Sequence, residues 1–219
     1  MIILTGSHIA TSFIQSGYFM KKLLDRLILS LSSLRLLPHL ILLRNCRNSA
    51  VIRADILRWH SIIYKTAPTD SFSKIFLKLM TYFPEYRNLF YYRTDWKGKL
   101  LGPLCPPMST LFIRTPRIGP GLFIQHGFAT IIAAKEIGDN CFINQQVTVG
   151  YSNATDAPTI GNNVTITAGA KVIGGIHIGD NVKIGANAVV VKNVPPNVTV
   201  IGVPAYIIRR NGLRVNEQL

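Results

Sequence analysis

Histidine and cysteine are the side chains here best suited to proton transfer, nucleophilic attack or metal binding, and their placement narrows the chemistry. Cys46, Cys105 and Cys141 are odd in number, far apart and without a CxxC pair. That pattern argues against a disulfide framework or a thiolate zinc site and favours a reducing compartment. Of the histidines, His126 stands out in the run Ile124-Gln125-His126-Gly127. An imidazole titrates near neutral pH, so it can take a proton from a poor nucleophile such as an alcohol and then give it back. The alternative is a turn histidine bonded to nearby backbone. His177 reads as structural, and Cys141 as a packing residue in a small apolar position. No GxGxxG or GxxxxGK[ST] phosphate loop is present.

What must position these side chains is written in the second half of the chain. Ile118, Ile124, Ile131, Ile137, Ile143, Val149, Ile160, Ile166, Val172, Ile178, Ile184 and Val190 form a ladder whose usual step is six residues. One step is seven (124 to 131) and one is eleven (149 to 160). Six fits neither an amphipathic helix nor a hairpin, and it does fit a parallel β-helix of three short strands and three turns per coil. Small residues four places on, such as Val147, Val164, Ala170, Val182 and Ala188, can fill the same interior. Asn140, Asn163, Asn181 and Asn187 suit corners that need positive φ. Coils at 118–136, 137–159, 160–177 and 178–195 follow, with a loop ejected around Ser152–Thr159 by the eleven-residue step.

The first half has another texture. Lys and Arg number 24 against 10 Asp and Glu, and 17 of the basic residues but only 5 of the acidic ones precede Ile118. Such a bias suits nucleic acid, an anionic membrane or phosphorylated ligands. Nucleic acid is disfavoured because the charge lies among leucines with no recognition motif. Residues 20–44 carry leucines at helical spacing, basic residues between them and an interruption at Pro38. This segment is either a core helix hairpin or a basic amphipathic segment lying on a membrane. Residues 1–20 lack charge but are too polar for a span and have their positive charge on the wrong side for a cleaved signal. Further helices are expected at 51–63, at 71–83 capped by Asp70, and at 84–93 opening on Pro84. The resulting domains are a basic apolar segment (1–50), a helical N-terminal domain (51–109), the β-helix (110–195) and a tail (196–219).

The runs IGPGLFIQHGFATII, INQQVTVG, ITAGAKVIGG, KIGANAVVVKNVPPN and GVPA resemble the serine O-acetyltransferase branch of the hexapeptide acyltransferases. The resemblance is close over residues 110–208 and looser over 51–93, where IRADILRW is similar to an acidic helix of the family. It implies a mainly β fold with an α-helical N-terminal domain, the β-helix being left-handed. It further implies a homotrimer, with room for pairing into a dimer of trimers, and acetyl transfer from acetyl-CoA to a hydroxyl without an acyl-enzyme. His126 matches the catalytic histidine. Ala168 and Ala186 match the pantetheine contacts, and Lys183, Lys192, Arg209 and Arg210 are expected at the CoA phosphates. Asp55 matches an acid that contacts the acceptor, the alternative being a helix surface charge. A hexapeptide carbonic anhydrase needs three zinc-binding histidines, and only His126 and His177 fall in the coils, so no metal is expected.

Two departures bear on the acceptor. The Asp that precedes the histidine in the family is Gln125 here, and the histidine of the ejected loop is Ala157. Gln125 supplies no charge for an amino group but can hydrogen-bond a sugar hydroxyl. The Asp that orients the catalytic histidine in the family falls near Arg114, so the sequence does not show what holds His126. The favoured expectation is therefore an O-acetyltransferase acting on a saccharide, at a cytoplasmic site with peripheral contact to the inner membrane face. L-serine is the alternative acceptor, and a non-catalytic trimeric scaffold the alternative class.

Overall fold

Strands of two to four residues separated by tight corners stack into a triangular prism, described by a computed structural model that covers residues 20, 23–24, 27–46 and 48–219. Expectations about residues 1–19 and the Lys21–Lys22 pair lie outside the described residues. One face of the prism is formed by β1 (Leu111–Ile113), β3 (Thr130–Ile132), β6 (Thr148–Gly150), β9 (Lys171–Ile173) and β12 (Val189–Val190). A second face holds β4 (Glu136–Ile137), β7 (Thr159–Ile160) and β10 (His177–Ile178). The third holds β2 (Phe123–Ile124), β5 (Phe142–Ile143), β8 (Thr165–Ile166), β11 (Lys183–Ile184) and β13 (Val198–Ile201). All pairings among these strands are parallel.

The aliphatic ladder becomes three interior columns. Ile124, Ile143, Ile166, Ile184 and Val200 are aligned on the third face. Ile132, Val149, Val172 and Val190 line the first, and Ile118, Ile137, Ile160, Ile178 and Val194 the second. Each is buried. A branched side chain suits this pleated wall, and one coil can shield its aliphatic residue only with a neighbour above or below. The expected corner residues Asn140, Asn163, Asn181 and Asn187 do adopt positive φ, between 56° and 59°. Coils approach closely: a Cβ on Gly138 would lie 2.7 Å from the carbonyl carbon of Gly161.

One rung of the ladder differs. Ile131 points outward, 41% exposed, and Ile132 is the interior residue. The interior step is therefore eight residues from Ile124 to Ile132, against six from Ile143 to Val149 in the next coil. Two extra residues are accommodated between β2 and β3, where His126, Gly127 and Ala129 all have positive φ.

The helices before the prism are α1 (Leu27–Arg35), α2 (Leu37–Asn45), α3 (Ser49–Tyr64), α4 (Phe72–Tyr82), α5 (Pro84–Arg93) and α6 (Asp95–Leu100). Pro38 lies in the first turn of α2, where its missing N–H costs nothing, and the chain bends by 62° between α1 and α2. Asp70 does not cap α4. Its carboxylate instead takes Lys74 and Lys78, each at 2.6 Å, which holds it below the usual carboxylate range. The short helix α6 lies outside the segments with helical spacing in the sequence.

Trp59 of α3 docks the helices onto the prism. Its indole is fully buried, stands 4.6 Å from Phe123 and 5.2 Å from Tyr86, and donates Nε1–H to the Leu122 carbonyl at 2.8 Å. After β13 the chain turns back as β14 (Tyr206–Arg210) and β15 (Leu213–Gln218), an antiparallel hairpin in place of the expected tail.

Candidate active site

The corner that links the third face to the first carries the chemistry-bearing residues in a vertical row. Pairing of Ile124, Ile143, Ile166 and Ile184 fixes the register, so two residues further on His126, Gln145, Ala168 and Ala186 succeed one another from coil to coil. At roughly 4.8 Å per coil, His126 and Ala186 are about 14 Å apart along the stack. Backbone bonds continue along the row: Gly169 N–H donates to the Gln145 carbonyl at 3.1 Å and Asn187 N–H to the Ala168 carbonyl at 2.9 Å. Small side chains at 168 and 186 leave this wall of the corner open to an extended ligand that pairs with backbone amides.

His126 is exposed at the head of the row, in the two-residue expansion, with φ of 64°. Gly127 fixes the expansion in place. Its φ is 44°, and a Cβ there would lie 3.2 Å from Glu85 Cβ, Leu111 Cδ2 and Met108 Sδ. The turn is thus wedged against α5 and β1, which leaves the imidazole to face solvent. Among the described residues no side-chain hydrogen bond holds the ring. Gln125 precedes it, half-buried, with its N–H on the Ile143 carbonyl at 2.9 Å. Arg114 is exposed and lies 5.8 Å over the Phe112 ring, so it takes no part in orienting His126. A cavity of about 680 Å³ beside α5 and β1 is lined by Tyr91, Tyr92, Phe112 and Arg114 and does not include His126.

Asp55 is not presented to a ligand, contrary to its expected contact with the acceptor. It is 1% exposed, with Oδ2 on Arg93 Nε at 2.9 Å and Oδ1 receiving the Gly121 N–H at 2.7 Å. Arg93 in turn donates to the carbonyls of Ile118 and Gly119. Burial pushes the Asp55 carboxyl up, and Arg93 and the Gly121 amide pull it back. The pair clamps the first coil to the helices, and breaking such a buried pair costs about 3–5 kcal/mol.

The expected phosphate contacts scatter. Lys183 is exposed on β11, the strand that leads into the Ala186 corner. Lys192 lies past β12, at a different corner, with Nζ on the Leu219 carbonyl at 2.8 Å. Arg209 is exposed on β14, while Arg210 is tied to Glu217 at 2.5 Å and is no longer a free cation. The ejected loop is closed by Asp156, which accepts from Ser152 and from the Asn153 N–H, with Ala157 beside it. Cys141 is buried and its thiol is pushed up to about 11, which suits packing and not attack. Among the described residues no group of three His, Cys, Asp or Glu could hold a metal ion.

A prism of hexapeptide coils carries an exposed histidine at the head of a corner row that ends in two alanines. Residues 157–192 match the family described as bacterial transferase hexapeptide (six repeats). A serine acetyltransferase of Synechococcus elongatus is 47% identical over 104 residues, which is 46% of this chain and 43% of that protein. The chain thus spans less than half the length of this curated relative. The structure of a Brucella abortus serine acetyltransferase in complex with coenzyme A superposes with a TM-score of 0.58 at 30% identity, covering 78% of this chain and 71% of that one. A Neisseria gonorrhoeae serine acetyltransferase in complex with serine superposes with a TM-score of 0.59 at 28% identity, covering 78% and 73%. The chain belongs to the serine acetyltransferase-like family of hexapeptide-repeat acyltransferases, and its prism is their left-handed parallel β-helix.

These likenesses overturn one expectation. Gln125 and Ala157 by themselves suit a saccharide acceptor, yet the relatives and solved neighbours carry the name serine acetyltransferase. Two replacements around a retained histidine do not outweigh that agreement.

Proposed function

We propose that the protein is a cytoplasmic serine O-acetyltransferase that moves the acetyl group of acetyl-CoA to the hydroxyl of L-serine. The observation that carries the reading is the row His126, Gln145, Ala168, Ala186, which sets a base at one end of a backbone-lined corner. The likeness to a coenzyme A complex and a serine complex supports both substrates. The pantetheine arm lies along Ala168 and Ala186 with the thioester toward His126. Lys183 and Arg209 are the cations left for the phosphates. His126 takes the serine hydroxyl proton as that oxygen attacks the thioester carbonyl, the C–S bond breaks, and the proton passes to the departing thiolate. The products are O-acetyl-L-serine and free CoA. Gln125 contacts the acceptor beside the histidine.

His126 faces open solvent in one protomer, and a second wall from a neighbour suits the reading of a homotrimer. The first prism face offers an apolar surface for such packing. Phe112 and Ile131 are exposed side by side on β1 and β3, with Phe128 close in sequence. The proposal includes pairing of trimers and a peripheral contact of the basic N-terminal segment with the inner membrane face.

Supplying labelled acetyl-CoA and L-serine tests the reading. The wild-type protein forms O-acetylserine with stoichiometric release of CoA. His126→Ala lowers the rate by about 10²–10⁴-fold while circular dichroism stays unchanged. CoA release with another hydroxyl acceptor but not with L-serine overturns the acceptor, and no release with any acceptor leaves a scaffold.

A further inference from the structure

The exposed apolar side chains of the helical region fall on two segments far apart in sequence. Leu27, Leu31, Leu34, Leu37 and Ile41 recur every three or four residues along α1 and α2 and are 54–75% exposed. On α6, Trp96 and Leu100 are 65% and 68% exposed. Helix α6 packs on α2, and Trp96 and Lys97 line one cleft with Leu42 and Asn45 at the end of α2. The C-terminal end of α2 therefore adjoins the start of α6, and α1 continues from the other end of α2.

Charge identifies what covers these segments. Between residues 20 and 47 the sequence has six basic residues (Lys21, Lys22, Arg26, Arg35, Arg44, Arg47) and one acid, Asp25. Arg35 and Arg44 are exposed among the leucines, Lys97 stands 5.9 Å from the Trp96 ring, and Lys99 is exposed beside Leu100, against one exposed acid on α6, Asp95. A second copy docked through this face would set like charges against each other, since a two-fold interface meets itself. An anionic bilayer supplies the opposite charge together with an apolar interior. Trp and Lys are also the residues that settle at a membrane–water boundary. No single helix among the described residues is long and apolar enough to cross a membrane. The 62° bend instead suits two short helices lying in the interface.

We propose that α1, α2 and α6 form one docking face for an anionic lipid surface, with the leucines and Trp96 entering the interface and Arg35, Arg44, Lys97 and Lys99 meeting the headgroups. This deepens the membrane contact of the proposed function and does not rest on acetyl transfer.

The chain has two tryptophans, and Trp59 is fully buried, so fluorescence changes on binding report Trp96. The full-length protein is mixed with vesicles of phosphatidylcholine alone and of phosphatidylcholine with phosphatidylglycerol at 3:1. The anionic vesicles are expected to shift the emission to the blue and to sediment the protein, and 1 M salt to reverse much of the binding. The double variant Lys97→Glu, Lys99→Glu binds at least about 25-fold more weakly, from a factor of about five for each cation removed. Leu31→Ser with Leu34→Ser removes the shift in a chain whose circular dichroism is unchanged. The proposal is overturned if anionic vesicles leave a folded chain in solution, or if the charge variant binds as well as wild type. A lipid-independent doubling of mass that buries Trp96 also overturns it, in favour of a face between copies. O-acetylserine formation by the charge variant, measured without vesicles, keeps this outcome separate from that of the catalytic reading.

Discussion

Ile143 and Trp59 are both fully buried, one in the prism and one in the helical region. Ile143 sits between Ile124 and Ile166 in a column whose members differ mainly in the coil that carries them. Trp59 has no counterpart. It alone joins Phe83, Tyr86 and Phe123 and reaches the Leu122 carbonyl. The prism distributes its stability over equivalent neighbours, whereas the helical region concentrates it in an aromatic cluster and one buried ion pair. A repeat tolerates local loss because each coil depends only on the next, and a cluster does not.

Trp59→Ala is the strongest way to break the contrast. It should cost about 3–5 kcal/mol by urea denaturation, with hydrogen exchange rising first in α3 to α5 while the middle coils stay protected. Equal loss of protection in both regions would show that they unfold as one unit. Acid sharpens the contrast next. His39 is buried, its neutral form is favoured, and burial with Arg35 and Arg87 nearby lowers it to about 4. The Tyr91 hydroxyl gives its proton to the Cys105 carbonyl at 2.7 Å, so His39 Nε2–H must be the donor to Tyr91 at 2.9 Å. Nδ1 has no partner. An unfolded histidine titrates near 6.5, so the unfolded chain binds more protons between pH 6.5 and 4. Stability present above 6.5 is lost across that window, to about 3 kcal/mol at its lower end. His39→Phe should flatten this part of the stability–pH curve. The smallest effect is expected at the surface: Asp70→Asn removes the pairs with Lys74 and Lys78 and should cost under about 1 kcal/mol in the same denaturation assay.

The prism was legible because period six has one good structural solution, and its Asn corners and interior columns follow from that. The slip at Ile131 has a physical origin: the expansion after Ile124 adds two residues, and adjacent Ile131 and Ile132 offer the same side chain to either face. Outside the repeat, sequence spacing says little about partners. Nothing local to Asp55 announces Arg93, 38 residues away, as the group that occupies it. Nothing near Arg210 shows Glu217 on the returning strand unless the hairpin is seen first. A signal for that hairpin was present in Asn211–Gly212, a pair suited to two successive positive φ values, and these residues have φ of 50° and 83°. His126 was found by its match to a family run, whereas its place above Ala168 and Ala186 required the register.

The reversal of direction after β13 also changes what the end of the stack presents. A stack of parallel coils has no internal reason to stop, and its last rung would present unpaired amides and carbonyls to the first rung of any other chain. Because β14 runs the other way and β15 pairs with it, the third face ends in an antiparallel hairpin and offers no further parallel rung. At the opposite end, Arg93 occupies the carbonyls of Ile118 and Gly119. Both ends of the repeat thus carry elements that break its parallel pattern.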